Sequence, residues 1–218
     1  MITAIPDNEI TQLLIHQLGN FFTVNETEKK EIQSVYSIVK EKLIYCLEKS
    51  DNKYYSRLIG GVKETYFNPF HSVQYCIYLY YYSKAIVTEK EDSMLADKIY
   101  YLNKALNGCD LYHGIDLPKY WDCEHPLGSI MGRAKYSDGF YFYQGCTVGG
   151  NKGFYPTIGK NVWMYAYSQL IGNSLVGNNV ILGANCKIKD QDIPSYSLVF
   201  GESPNLIIKS MEKEYHLF

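Results

Sequence analysis

From Ile158 to Ile188 the chain reads IGKNVW, MYAYSQ, LIGNSL, VGNNVI, LGANCK, I. Written in sixes, the leading position is Ile158, Met164, Leu170, Val176, Leu182 and Ile188, apolar every time. With 46% hydrophobic residues overall, such a series at six set positions arises by chance about once in a hundred. A second series accompanies it. Four residues after each of the first five leads stand Val162, Ser168, Ser174, Val180 and Cys186, all small enough for a tight interior corner. Glycine and asparagine fill the gaps, as in Gly172-Asn173 and Gly177-Asn178-Asn179, and these residues best accept the positive φ of a sharp turn. A period of six that repeats large-inward, turn, small-inward describes short parallel strands coiled into a solenoid. An antiparallel β domain with glycine-rich turns would alternate with period two and has no reason to hold a phase of six.

Backwards, the series continues through Val148, Phe142, Tyr136 and Ile130, with ten residues from Val148 to Ile158 where six are expected. The excess of four forms a loop within Gly150 to Thr157, GNKGFYPT. Loops that interrupt a solenoid project from one face and often bind ligands.

Before Gly108 the spacing is three and four, as in Ile10, Leu13, Leu14, Leu18 and in Ile32, Val35, Ile38, Val39, which predicts helices. One long helix begins near Asn25 or Thr27 as its cap, a third follows Asn68-Pro69, and a fourth covers Glu91 to Leu106. The expected organisation is α+β: an α-helical domain over 1–108, a parallel β-helix of hexapeptide repeats over 109–201, and a C-terminal tail over 202–218 that caps the last coil.

A formal net charge of -2 and the lack of a basic run argue against affinity for nucleic acid or anionic lipid. The six cysteines contain no C-x-x-C, so neither a zinc ribbon nor a disulfide framework is indicated, and reduced thiols in a cytoplasm are expected. No stretch reads as a membrane span or secretory leader. The 22 tyrosines read as amphipathic packing residues. Cys109, His113, Cys123 and His125 have the spacing C-x3-H-x9-C-x-H, which matches no common zinc pattern, so no metal is expected.

The segment from Cys109 to Ile208 resembles the serine acetyltransferases of the hexapeptide-repeat acyltransferase superfamily. Their pattern runs D-I-H-P, D-H-A-T-G, V-T-L-G-G, a loop with R-H-P, and a G-x-P-A tail. This chain has Asp110-Leu111-Tyr112-His113, Glu124-His125-Pro126-Leu127-Gly128, Cys146-Thr147-Val148-Gly149-Gly150, Phe154-Tyr155-Pro156 and Gly201-Glu202-Ser203-Pro204, in the same order. In the helical half, Asn68 to Gln74 is similar to a family segment K-G-F-H-A-L-Q. The resemblance implies a left-handed β-helix, an exception to the usual crossover hand. It also implies a homotrimer, which in the family can pair into a dimer of trimers, with acetyl-coenzyme A as co-substrate and active sites in the grooves between neighbouring coils.

Acetyl transfer to an alcohol needs a group that removes the hydroxyl proton as the oxygen attacks the thioester, and imidazole is matched to that task. His125 aligns with the family's catalytic histidine, and its pairing with Pro126 predicts extended backbone. Asp110 aligns with the carboxylate that orients the base, and its fifteen-residue separation from His125, near one coil, would stack the two in adjacent layers. Glu124 occupies the place of a second acidic residue and is assigned a supporting role. His113 and His71 are expected to be structural. By position, coenzyme A is expected along Gly149, Gly150, Ala166, Ala184 and the Gly201 to Pro204 turn, although Tyr165 and Tyr167 replace the family's glycines around Ala166.

The acceptor loop departs furthest, because Phe154-Tyr155 stand where the family carries arginine and histidine. Without that cation a free amino-acid carboxylate loses its partner, and the two aromatics favour stacking on a sugar of a bacterial surface polysaccharide. Serine itself, as in cysteine biosynthesis, is the alternative acceptor, and a degenerate, non-enzymatic β-helix scaffold is the alternative of a different class.

Overall fold

The computed structural model describes residues 1–50 and 52–213. It divides into two compact units, Met1–Asn107 and Gly108–Phe218.

The first unit holds four helices: α1 (Asp7–Phe21), α2 (Glu26–Ser50), α3 (Ser72–Glu89) and α4 (Ser93–Asn107). Asn25 caps α2 reciprocally. Its Oδ1 accepts from the Glu28 amide (3.0 Å) and its own amide donates to Glu28 Oε2 (2.8 Å), a capping box with asparagine in the serine role. Glu28 is buried and also pairs with Lys98 of α4 at 2.5 Å. His71 caps α3, its Nδ1 accepting from the Gln74 amide, so a packing histidine is also a terminus. Along α3 every residue from Val73 to Ser83 is buried. Its tyrosines pack on one another, Tyr75 stacked on Tyr78 and Tyr78 edge-to-face on Tyr82, and the Tyr82 hydroxyl donates to the Ile32 carbonyl (3.1 Å). The abundant tyrosines thus fill a core, and the Tyr82 hydroxyl finds its polar partner within it.

Helical spacing does not foretell the rest of this unit. Strands β1 (Ile2–Thr3), β2 (Ser56–Ile59) and β3 (Val62–Phe67) form a small sheet in the order β1-β3-β2. The β2-β3 hairpin turns at Gly60 and Gly61, both at positive φ, the requirement of a two-residue turn that keeps the strands' twist. The local signal for it is Gly60-Gly61 between Arg57-Leu58-Ile59 and Val62-Lys63, a short stretch set among helical neighbours.

The second unit is a parallel β-solenoid of short strands: β4 (Trp121–Cys123), β5 (Ile130–Met131), β6 (Phe140–Phe142), β7 (Thr147–Gly149), β8 (Thr157–Ile158), β9 (Val162–Met164), β10 (Gln169–Ile171), β11 (Leu175–Val176), β12 (Val180–Leu182), β13 (Lys187–Lys189) and β14 (Ser197–Glu202). They stack into three walls. The first is β4-β6-β9-β12-β14, the second β5-β7-β10-β13, and the third β8-β11. Met164 pairs with Leu182, Leu170 with Ile188 and Ile158 with Val176, each partner one full coil of three sixes onward. All six leading residues are at most 1% exposed, and the corner series from Val162 to Cys186 is buried with them.

Earlier coils drift from the count. Ile130 is 49% exposed, and Met131 takes the inward place, 2% exposed and paired with Val148. Lys135 bridges Thr157, which sets Tyr136 over Ile158. The step from Met131 to Tyr136 is therefore five residues, and counting back by six oversteps by one. At the other end the solenoid does not stop at Gly201. Strand β15 (Asn205–Ser210) folds back antiparallel on β14, Glu202 facing Asn205 and Ser197 facing Ser210, and so covers the last coil's open edge. The expected tail thus begins as a strand of the sheet, and 214–218 lie outside the described residues.

Candidate active site

Residues that leave the first wall and enter the second make a corner repeated in every coil. In three coils this corner has two residues between wall and interior: Gln144-Gly145, Ala166-Tyr167 and Ala184-Asn185. The second of each pair is left-handed, at φ 64, 61 and 62 for Gly145, Tyr167 and Asn185. Amides climb the corner as a staircase, Gly145 to Leu127 O, Tyr167 to Gln144 O and Asn185 to Ala166 O, at 2.8 to 2.9 Å. Inside it run Ser129, Cys146, Ser168 and Cys186, all buried. Ser129 Oγ donates to the Tyr143 carbonyl (2.7 Å) and Cys146 Sγ contacts the carbonyls of Met164 and Tyr165. Small polar side chains are needed here because the turn aims carbonyls inward, where they must be satisfied.

The corner that carries His125 is longer. Glu124 and Ser129 hold the places of Tyr143 and Cys146, because the Glu124 amide pairs with Phe142 O as Tyr143 does with Met164 O. Between them lie His125, Pro126, Leu127 and Gly128, two residues more than in later coils. The insertion pushes the corner outward, and the His125 side chain is 76% exposed. His125 is itself left-handed, at φ 49. The extended backbone expected before proline is therefore not what the corner adopts, since a bulged turn demands positive φ and histidine is among the side chains that tolerate it.

Beside it the Glu124 carboxylate is anchored at one oxygen and faces the imidazole with the other. Oε1 lies 3.9 Å from His125 Nε2, and Oε2 accepts from the Tyr141 hydroxyl at 2.8 Å. Tyr141 was not foreseen. It stands one coil onward, in register with the buried Asp122, and only the true coil length brings it beside Glu124. Burial and the Asp122 and Glu124 carboxylates push its phenol far above the usual tyrosine range, so it stays a proton donor. Its ring stacks on Trp163 (4.2 Å) and, in the next column, Tyr143 stacks on Tyr165 (4.9 Å), giving the first wall an aromatic outer surface beside the corner. The Tyr167 ring lies across Gly145, where an added Cβ would come within 2.3 Å of it.

The remaining expected residues fall into two groups. Asp110 directly follows the same corner one coil earlier. Its strand partner is Ile130, the second residue after the long corner that carries His125. Ala166 and Ala184 occupy the corner column in the next coils, and Gly201, at φ 87, and Pro204 lie where β14 leaves the first wall for its hairpin. Gly149, Gly150, Phe154 and Tyr155 lie instead at the corner between the second and third walls. There Asn151 and Phe154 exchange backbone hydrogen bonds, both 2.9 Å, around Lys152-Gly153, both at positive φ. The loop is a tight hairpin. Asn151 Nδ2 also ties it to Asp190 (2.6 Å), whose carboxyl is held below the usual range chiefly by the Asn173 amide. Tyr155 covers Gly150, while Phe154 is 58% and Tyr155 44% exposed. His113 is buried against the Tyr112 ring. Among the described residues no cluster of three histidine, cysteine or acidic side chains could hold a metal ion, and no helix is long and apolar enough to cross a membrane.

Comparison with known proteins agrees with the fold. The bacterial transferase hexapeptide (six repeats) pattern matches residues 155–190. The serine acetyltransferase of Staphylococcus epidermidis is 34% identical over 113 residues, 50% of this chain and 52% of that protein. That of Staphylococcus xylosus is 31% identical over 126 residues, 56% and 57% of the two chains. The chain thus spans about half the length of the relatives it matches. Among solved structures, a serine acetyltransferase in complex with CoA superposes with a TM-score of 0.65 at 16% identity, over 91% of this chain and 83% of the other. Serine acetyltransferase from Brucella abortus strain S19 gives 0.70 at 15%, over 96% and 85%. In its repeats, its sequence relatives and its fold, the chain is similar to the hexapeptide-repeat serine acetyltransferases.

Proposed function

We propose that this chain is an O-acetyltransferase that uses acetyl-coenzyme A, with His125 as general base. The observation that carries the reading is the long corner, which presents an imidazole to solvent with a carboxylate 3.9 Å from one ring nitrogen. A proton on Nε2 directed at Glu124 leaves the lone pair on Nδ1. That nitrogen takes the acceptor's hydroxyl proton as the oxygen attacks the thioester carbon, the C–S bond breaks, and the coenzyme A thiolate leaves with the proton from the imidazolium. Glu124 stabilises the imidazolium in between, and Asp110, at the same corner one coil earlier, supplies further negative charge. The pantetheine arm is assigned to the corner column, where Ala166 and Ala184 present nothing longer than a methyl group and Tyr167 flanks the path. Gly201 and Pro204 continue that path, and Gly149 and Gly150 belong with the hairpin.

In one chain, the hairpin and His125 stand on different corners. In this reading a second copy brings Phe154 and Tyr155 to the base within a homotrimer; sedimentation tests it, a monomer in the presence of acetyl-coenzyme A being the adverse result. The relatives' names favour serine as acceptor. The exposed aromatic hairpin, with no arginine or histidine, favours a saccharide hydroxyl of a surface polysaccharide. Following thiol release from acetyl-coenzyme A with serine or with sugar acceptors separates the two, and rapid turnover with serine defeats the saccharide. His125→Ala should lower the rate about 100-fold to 10,000-fold; an unchanged rate would mean that the histidine is not the base.

A further inference from the structure

We infer that Tyr141 is a positioning residue for the corner that carries His125, acting through Glu124. This rests on the reading of His125 as the base. Glu124 is half-exposed, at 36% of its side chain, and a glutamate so placed would sample many rotamers at an entropic cost to any single one. Here one oxygen is anchored by the Tyr141 hydroxyl at 2.8 Å, so the other is presented to His125 Nε2. The anchor is itself immobile. Tyr141 is 4% exposed, lies between Phe140 and Phe142 in a strand whose neighbours are both buried, and is stacked on Trp163 with the rings 22° apart. A hydrogen bond to an ionised acceptor is among the stronger kinds, and the phenol, facing Asp122, Glu124 and Tyr143, stays protonated and able to donate. The series Tyr141, Glu124, His125 therefore runs from the solenoid's buried wall to an exposed imidazole. Neither the acetyl-transfer chemistry nor the repeat requires a tyrosine at this outward position. Two neighbours on the same wall, Trp163 and Ile181, align with it in register and carry no hydroxyl.

The test is Tyr141→Phe in the full chain, which keeps the ring and its stack and removes only the hydroxyl. It should unfold at the temperature of the unsubstituted protein within a few degrees, lower kcat about tenfold, and leave KM for acetyl-coenzyme A unchanged. In a Glu124→Gln background the same substitution should change kcat less than about twofold, because residues that act through one another are not additive. Equal losses in both backgrounds, or a kcat within about twofold of the unsubstituted protein, would overturn the inference. A readout independent of turnover keeps it separate from the proposed activity. The ring Cε1–H signal of His125, identified by its loss in His125→Asn, should move in the same direction in Tyr141→Phe as in Glu124→Gln. A signal unmoved by Tyr141→Phe overturns the positioning role, whereas a moved signal together with full activity in His125→Ala overturns the function and leaves the arrangement standing.

Discussion

At the residue scale, cysteine shows how burial sets chemistry. None of the six cysteines is in a disulfide, and all are buried. Burial pushes the Cys186 thiol up to about 11 and raises that of Cys146, and the thiolate is the reactive form. Native protein at pH 8 should therefore show almost no reaction with Ellman's reagent within minutes, and all six thiols should appear on denaturation; a fast native thiol would contradict this. The order of the motifs names His125, Asp110 and Glu124 as candidates, and the structure sets the first and last of them side by side. Tyr141 was not legible in the sequence, because the contact that gives it meaning joins residues one coil apart, and coil length is a property of the stacked walls. The left-handed backbone of His125 was equally hidden, since the local preference before Pro126 points elsewhere.

At the scale of elements, the phase of six located the inward residues wherever coils are regular, and failed by one position where a corner or connection changed length. Met131 and Ile130 test that shift directly. Met131→Ala should cost about 2–5 kcal/mol in denaturant unfolding, while Ile130→Ala should stay within about 0.5 kcal/mol; the reverse order would restore the uncorrected count. The capping box at Asn25 was half legible, since asparagine was a candidate cap but the return bond from Glu28 depends on how the first turn closes. Asn25→Ala should cost about 1 kcal/mol, read by the same unfolding measurement, and a neutral result would mean that the two bonds contribute nothing net. The hairpin from Ser56 to Phe67 was missed because its strands are short and its neighbours helical, so the local Gly60-Gly61 signal was outvoted.

At the scale of the whole molecule, a solenoid has two ends, and each must be closed against pairing with another chain. β15 closes one, hydrogen-bonded along the whole of β14. A chain ending after Pro204 should expose that edge and raise light scattering at concentrations where the full chain is monodisperse; an unchanged scattering profile would show that β14 needs no cover. The sequence by itself determined the class of each half, because helical and six-residue periods are written in which side chains must be buried, and it marked the hairpin loop as an excess of four. Only the tertiary structure decided which coils were lengthened, that His125 rides on a bulged corner, that Tyr141 anchors its neighbouring carboxylate, and that Phe154 and Tyr155 occupy a different corner. Those facts depend on stacking register, and a register is set by how coils pair in space rather than by any one coil's residues.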